Sequence, residues 1–194
     1  MPQANYLSNG ELEFKNVNEL GNLKGYRVFD CTPEGAKEKD LHTYRELNEF
    51  IINESINSSK ANLTQTFVLV QGDIILGYCT LFSNSIVLGG KYRKRKGVTA
   101  TSRLRAYPTV SIMYFCVNNE FQGQSIGKLL MSYVYETMYQ LSFFVGITLI
   151  EVTALESASV FYKKQGFELY GAHRSSKNME ALAITTTEIK EILS

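Results

Sequence analysis

Between an apolar run at residues 112–117 and a stretch of helical periodicity at 126–141, the chain places Gln122, Gly123, Gln124, Ser125, Ile126, Gly127 and Lys128. A strand that ends in a small-residue loop opening a helix turns several backbone N–H groups toward the positive end of the helix dipole, where phosphate oxygens bind. A pyrophosphate is the expected ligand of such a loop. Turns of this composition also arise for geometry alone, so the segments downstream must decide. There is no Gly-x-Gly-x-x-Gly, and Gly127 and Lys128 are followed by Leu129 where a P-loop needs Ser or Thr for magnesium. A nucleoside triphosphatase does not fit.

The rest of the chain reads as strands and helices in alternation. A weak strand is expected at residues 11–17. At 41–56, Leu41, Tyr44, Leu47, Phe50, Ile51 and Ile52 share one side of a 3.6-residue period, which predicts an amphipathic helix ended by Asn and Ser residues. Residues 67–70 and 74–82 flank Gln71, Gly72 and Asp73 as an antiparallel hairpin, with Gly77 marking a bulge or a close approach. A basic loop is expected at 89–106. In the helix at 126–141, Ile126, Leu129, Leu130, Tyr133, Val134, Met138 and Leu141 form the apolar face, and Gly146 is its expected end. Further strands are expected at 147–153, 168–172 and 179–185, with a helix at 156–165 and a terminal turn capped by Thr185 with Glu188. This β-α-β-α-β order implies an α/β (α+β) fold, a mixed central sheet flanked by helices on both faces. The 194 residues fit one domain spanning 1–194.

Three cysteines, Cys31, Cys79 and Cys116, are far apart and odd in number, which suits small buried side chains in a reducing cytosol. With only His42 and His173 and no zinc-ligand spacing, no metal is expected. No stretch approaches the ~20 apolar residues of a membrane span, so a soluble cytoplasmic protein is expected. The net charge of +1 conceals an asymmetry: seven of the twenty Lys and Arg residues lie between positions 91 and 105.

The loop at 122–128 is followed by Ala158, Ser159, Val160, Phe161, Tyr162, Lys163, Lys164, Gln165, Gly166 and Phe167. Together the two segments resemble the GNAT superfamily of N-acetyltransferases, whose first motif runs Gln/Arg-x-x-Gly-x-Gly/Ala and whose later helix carries Phe-Tyr before Gly-Phe. The resemblance implies acetyl-CoA as cofactor. Phe115 and Val117 would pair through their backbone with the pantetheine arm, the amides of Gln122, Gly123, Gln124, Ser125, Ile126, Gly127 and Lys128 would hold the pyrophosphate, and Ala158 would lie against the cofactor. Tyr162 would be the general acid, because a phenol of pKa ~10 is protonated at neutral pH and can protonate a departing thiolate. Ser125 stands where the family usually has glycine, and Leu155 where many relatives carry Asn.

Phe29, Asp30 and Cys31, the helix around 47–56, the hairpin strands, and Tyr107 with Pro108 are similar to the toxin branch of that superfamily. Members of that branch acetylate the α-amine of aminoacyl-tRNA, block translation and are neutralised by an antitoxin. On this reading Lys91, Arg93, Lys94, Arg95, Lys96, Arg103 and Arg105 would draw the phosphates of the nucleic acid. An α-amine, with a pKa of about 7.7–8.0, needs little base assistance; Glu151 and His173 are the nearest candidates for a base. The alternatives are an enzyme of the same chemistry acting on a small amine, an antibiotic or a protein amino group, and a non-catalytic acyl-CoA-binding module. Expected partners are the amine acceptor, an antitoxin protein and a second copy in a homodimer, with no membrane.

Overall fold

In the computed structural model, residues 11–23, 26–98, 106–170 and 179–194 are described. The strands are β1 (Leu12–Asn16), β2 (Gln65–Gln71), β3 (Ile74–Ile86), β4 (Tyr107–Val117), β5 (Leu149–Leu155), β6 (Glu168–Leu169) and β7 (Met179–Thr185). The helices are α1 (Leu41–Asn53), α2 (Ser55–Lys60), α3 (Gly90–Arg95), α4 (Ile126–Leu141), α5 (Glu156–Lys164) and α6 (Thr186–Leu193). The strands form a seven-stranded sheet in the order β1-β2-β3-β4-β5-β7-β6. The β4–β5 pair is parallel and the pairs of β2 with β1 and β3, and of β7 with β5 and β6, are antiparallel, so the sheet is mixed. Two compact units are present: Met1–Leu81 with Tyr114–Leu130, and Phe82–Met113 with Met131–Ser194.

The first unit is built on the hairpin of β2 and β3. Its register shifts between Leu69 and Val70, leaving Leu76 as the extra residue, so the bulge expected at Gly77 is present. One apolar cluster packs Val68, Val70, Ile75 and Tyr78 against Phe29, Phe50, Ile51 and Cys116. Tyr78 is fully buried and donates its hydroxyl to the Leu47 carbonyl at 2.7 Å, which ties α1 to the sheet. Helix formation does not stop at the Asn- and Ser-rich segment after Asn53; it resumes as α2. Ser55 and Ser59 are buried there, Ser55 Oγ donating to the Ile51 carbonyl at 2.6 Å and Ser59 Oγ accepting from the Thr66 amide at 3.2 Å. Both buried hydroxyls are thereby satisfied, and the Ser55 bond to the carbonyl four residues back falls where α1 gives way to α2.

In the second unit, β5 lies between β4 and β7, and Leu149, Ile150, Leu182 and Ile184 are completely buried. The expected basic loop begins instead with a helix, α3. Lys and Arg are good helix formers, and Tyr92 anchors the turn by burying its ring among Leu88, Tyr107, Leu149 and Ala183. Its hydroxyl donates to the Ala183 carbonyl at 3.2 Å. Helix α4 stops at Leu141 and is closed by a turn through 142–145, before Gly146. Thr185 and Glu188 form the expected capping box of α6.

Candidate active site

The turn between β4 and α4 is held from beneath. Asn118 is buried; its amide donates to the Leu76 carbonyl at 2.9 Å, its side-chain Nδ2 donates to the Ile75 carbonyl at 3.2 Å, and its Oδ1 accepts from the Glu120 amide at 3.2 Å. The Asn119 amide donates to the Asp30 carbonyl at 2.8 Å. Asp30 in turn accepts from the Thr32 amide and from Asn48 Nδ2, both at 2.8 Å. Burial opposes ionisation of Asp30, but these hydrogen bonds prevail and hold its carboxyl below the usual range. Gln122 Nε2 donates to the carbonyls of Cys31 at 3.0 Å and Val117 at 3.1 Å. Its side chain therefore straps the end of β4 to the segment carrying Phe29, Asp30 and Cys31.

Three of the seven backbone amides in the motif are used within the turn. Gln122 donates to Asn119, Gln124 to Phe121 and Lys128 to Ser125. Among the described residues, the amides of Gly123, Ser125, Ile126 and Gly127 meet no acceptor. Gly123 and Ser125 both have positive φ, +76° and +67°, which turns this stretch into a concave row of donors. Glycine at position 125 would adopt that conformation without strain, whereas serine adopts it against its Cβ. Lys128 is exposed and, among the described residues, has no ion-pair partner. Four free amides beside a cation match the donor set that a pyrophosphate requires. Beneath them, Ile126 and Leu130 pack on Leu69 and Leu76, with Phe115, Val117 and Phe121 beside the cluster.

In the second unit, Tyr162 is buried on α5, its ring edge-to-face with Phe167 at 5.6 Å. Ala158 is half-buried in the first turn of that helix. Leu155 occupies the N-cap position with extended backbone and makes no capping hydrogen bond. Of the basic set, Arg103 and Arg105 lie outside the described residues, as does His173. Lys91 and Lys94 are exposed on α3, and among the described residues neither has an ion-pair partner. The other three have partners within the protein, Arg95 while remaining exposed. Lys96 donates to Glu168 at 2.6 Å and to Glu188 at 2.5 Å, Arg95 pairs with Glu168 at 2.8 Å, and Arg93 donates to the Tyr107 hydroxyl at 3.4 Å.

Glu151 is buried on β5, opposite Ser111 of β4. Its Oε1 accepts from Ser111 Oγ and from Asn84 Nδ2 at 3.4 Å, and its Oε2 accepts from the Tyr170 hydroxyl at 3.4 Å. Burial, reinforced by the charge of Glu151, pushes the Tyr170 phenol up to about 12, so it stays a donor. Sequence reading singled out neither Asn118, Ser111, Asn84 nor Tyr170. A lone Asn or Ser carries no periodic signal, and these act through partners distant in the chain. Among the described residues no group of three or more His, Cys, Asp or Glu side chains is placed to hold a metal, and no helix is long and apolar enough to cross a membrane.

Residues 62–169 match the family model of the acetyltransferase (GNAT) domain. No curated protein matches the chain. Among solved structures, a tyrosine-to-phenylalanine mutant of KacT is 22% identical with a TM-score of 0.73, covering 94% of this chain and 99% of that one. A structure described as a bacterial toxin is 16% identical with a TM-score of 0.76, covering 95% and 96%. AtaT complexed with acetyl-methionyl-tRNAfMet is 22% identical with a TM-score of 0.71, covering 95% and 100%. The fold is common to all of them.

Proposed function

Because the chain belongs to the GNAT acetyltransferases, we propose that it transfers the acetyl group of acetyl-CoA to the α-amine of an aminoacyl-tRNA and so acts as a translation-blocking toxin of the cytoplasm, restrained by an antitoxin protein. One observation carries the choice of acceptor: the chain shares its fold, over 95% of its length, with AtaT complexed with acetyl-methionyl-tRNAfMet. AtaT has also been solved with the antitoxin AtaR, which supports the same partner here. The exposed Lys91 and Lys94 on α3 suit a phosphate-rich acceptor, since exposed cations attract a polyanion over a Debye length.

The residues divide the work as follows. The amides of Gly123, Ser125, Ile126 and Gly127, with Lys128, would hold the diphosphate of acetyl-CoA, which supplies the activated thioester. Gln122 and Asn118 keep that row of donors in place. Tyr162 is the acid that protonates the leaving thiolate. A Tyr-to-Phe exchange is the variant found in matching structures of both KacT and AtaT, and Tyr162→Phe is the corresponding test here. The free α-amine of an amino acid esterified to tRNA through its carboxyl has a pKa no higher than about 7.7–8.0, so a substantial fraction is neutral and nucleophilic at about pH 7.5.

The experiment is thiol release from acetyl-CoA with charged and uncharged tRNA compared side by side. Release with charged tRNA alone, lost in Tyr162→Phe, is the expected result. Equal release with both tRNAs, or release only with a small amine, overturns the choice of acceptor and leaves the acetyltransferase assignment standing.

A further inference from the structure

We propose that Glu151 is the hydrogen-bond acceptor that orients the acceptor amine for attack, an inference that rests on the acetyltransferase reading but not on tRNA being the acceptor. A buried carboxylate ordinarily has a cationic partner. Glu151 is only 7% exposed, yet its donors are the neutral groups of Ser111, Asn84 and Tyr170, and among the described residues no Lys, Arg or His pairs with it. For packing alone, a glutamine would serve equally well at lower desolvation cost.

The carboxylate also has unused capacity. Of its roughly four lone-pair sites, Oε1 takes two donors, while among the described residues Oε2 has only the Tyr170 hydroxyl at 3.4 Å. An amine donating one N–H to Oε2 keeps its nitrogen lone pair free for the thioester carbonyl, which is the orientation attack requires.

Access follows from the register. The parallel pairing of β4 with β5 runs from Thr109 opposite Leu149 to Ile112 opposite Val152 and stops there, so the Ser111–Glu151 pair stands one step before its end. Side chains two residues apart share a sheet face. Met113 and Thr153 therefore continue the face of Ser111 and Glu151, and both are exposed, Met113 by 46%. The buried carboxylate borders an open stretch of sheet.

The same face carries α3. Ala183, the register partner of Glu151 on β7, belongs to the apolar cluster that Tyr92 of α3 enters, and the rings of Tyr92 and Tyr170 meet at 6.3 Å. The helix that presents Lys91 and Lys94 and the carboxylate that receives the amine are thus linked through Tyr170. Phosphates of an acceptor and its amino group would meet one continuous surface of the second unit.

The test compares charged tRNA with a small α-amine, methionine methyl ester, as acceptors. Glu151→Gln should raise the acceptor KM, or lower kcat, at least about tenfold for both, the cost of losing a hydrogen bond to a charged group. Acetyl-CoA affinity and Tm should be unchanged, and Glu151→Asp should recover part of the loss. Thr153→Lys, at an exposed position, should place a competing ammonium beside Glu151 and raise the acceptor KM without loss of stability. Lys91→Ala with Lys94→Ala should impair charged tRNA alone. Unchanged acceptor kinetics in Glu151→Gln or in Thr153→Lys, or a Glu151→Gln loss that follows reduced Tm and reduced cofactor affinity, would overturn the proposal. Failure of wild type on charged tRNA together with a Glu151 effect on the ester would reject only the tRNA reading.

Discussion

Gly77 of β3 lies against the carbonyl of Cys116 on β4: a Cβ added at Gly77 would stand 2.6 Å from that oxygen and 2.7 Å from a methyl of Leu130. Backbone oxygen cannot retreat as a flexible side chain can. Gly77→Ala should therefore destabilise the protein by about 1–3 kcal/mol, the usual cost of overpacking. Because Leu130 belongs to α4 and Val117 ends β4, the displaced atoms support the turn of free amides. Chemical denaturation should show the lower midpoint, and calorimetry a weaker affinity for acetyl-CoA.

Ser125 holds a left-handed backbone, φ +67°, at the start of α4. That conformation costs an L residue about 1–2 kcal/mol, partly offset by the freedom glycine adds to the unfolded chain, about 0.4–1 kcal/mol. Ser125→Gly should thus leave the protein as stable or up to about 1.6 kcal/mol more stable, with cofactor binding retained. Ser125→Val should do the reverse, since a β-branched side chain tolerates positive φ poorly. Thermal melts of the two variants with and without acetyl-CoA would separate strain from binding, and a stabilised valine variant would refute this account.

What could be read from the sequence follows from which signals are local. The donor turn at 122–128, the bulge at Gly77 and the α6 capping box each depend on neighbours within a few residues, and each is present. The face of α4 is rotated from the expected one, with Ile126, Leu130, Val134 and Met138 buried as expected but Leu129 and Leu141 exposed and Met131 and Tyr135 buried in their place. Residues 90–95 form a helix where the sequence predicts a loop, because a short helix carrying a single buried Tyr92 has too few apolar positions to display a period. The pairing of its charges is hidden from the sequence for another reason. Lys96 is neutralised by Glu168 and Glu188, which are far along the chain and brought near only by the fold. The strapping by Gln122 and the network around Glu151 likewise join residues that no spacing rule connects.

Leu155 leaves the first turn of α5 without a side-chain cap. Replacing it with Asn removes a half-buried apolar side chain but adds an acceptor for the N-terminal amides. The loss of packing is isolated by Leu155→Ala. Leu155→Asn should be more stable than Leu155→Ala by about 1 kcal/mol, within the usual 0.5–2 kcal/mol of an N-cap. Equal stabilities in urea would show that the N-terminus of α5 does not accept a cap.

Lys96 is nearly enclosed, with its side chain 8% exposed between Glu168 and Glu188. Burial alone would lower its pKa, but the hydrogen bonds of the two carboxylates outweigh it and the pKa is raised above 10.5. For Glu188, burial is likewise overcome by the bonds from Lys96 and Thr185, and its pKa falls below 4.5. A raised lysine pKa contributes stability that is complete below the unfolded value and is lost as pH rises through the folded one. A lowered glutamate pKa contributes stability present above its unfolded value and lost as pH falls through the folded one. The pair should therefore stabilise the fold fully between pH values of about 5 and 10, with losses on either side. Lys96→Met removes both contributions of the ammonium, so it should lower the melting temperature at pH 7 and flatten its decline at acid pH. A parallel decline in wild type and Lys96→Met would show that this ion pair does not set the acid limit of the protein.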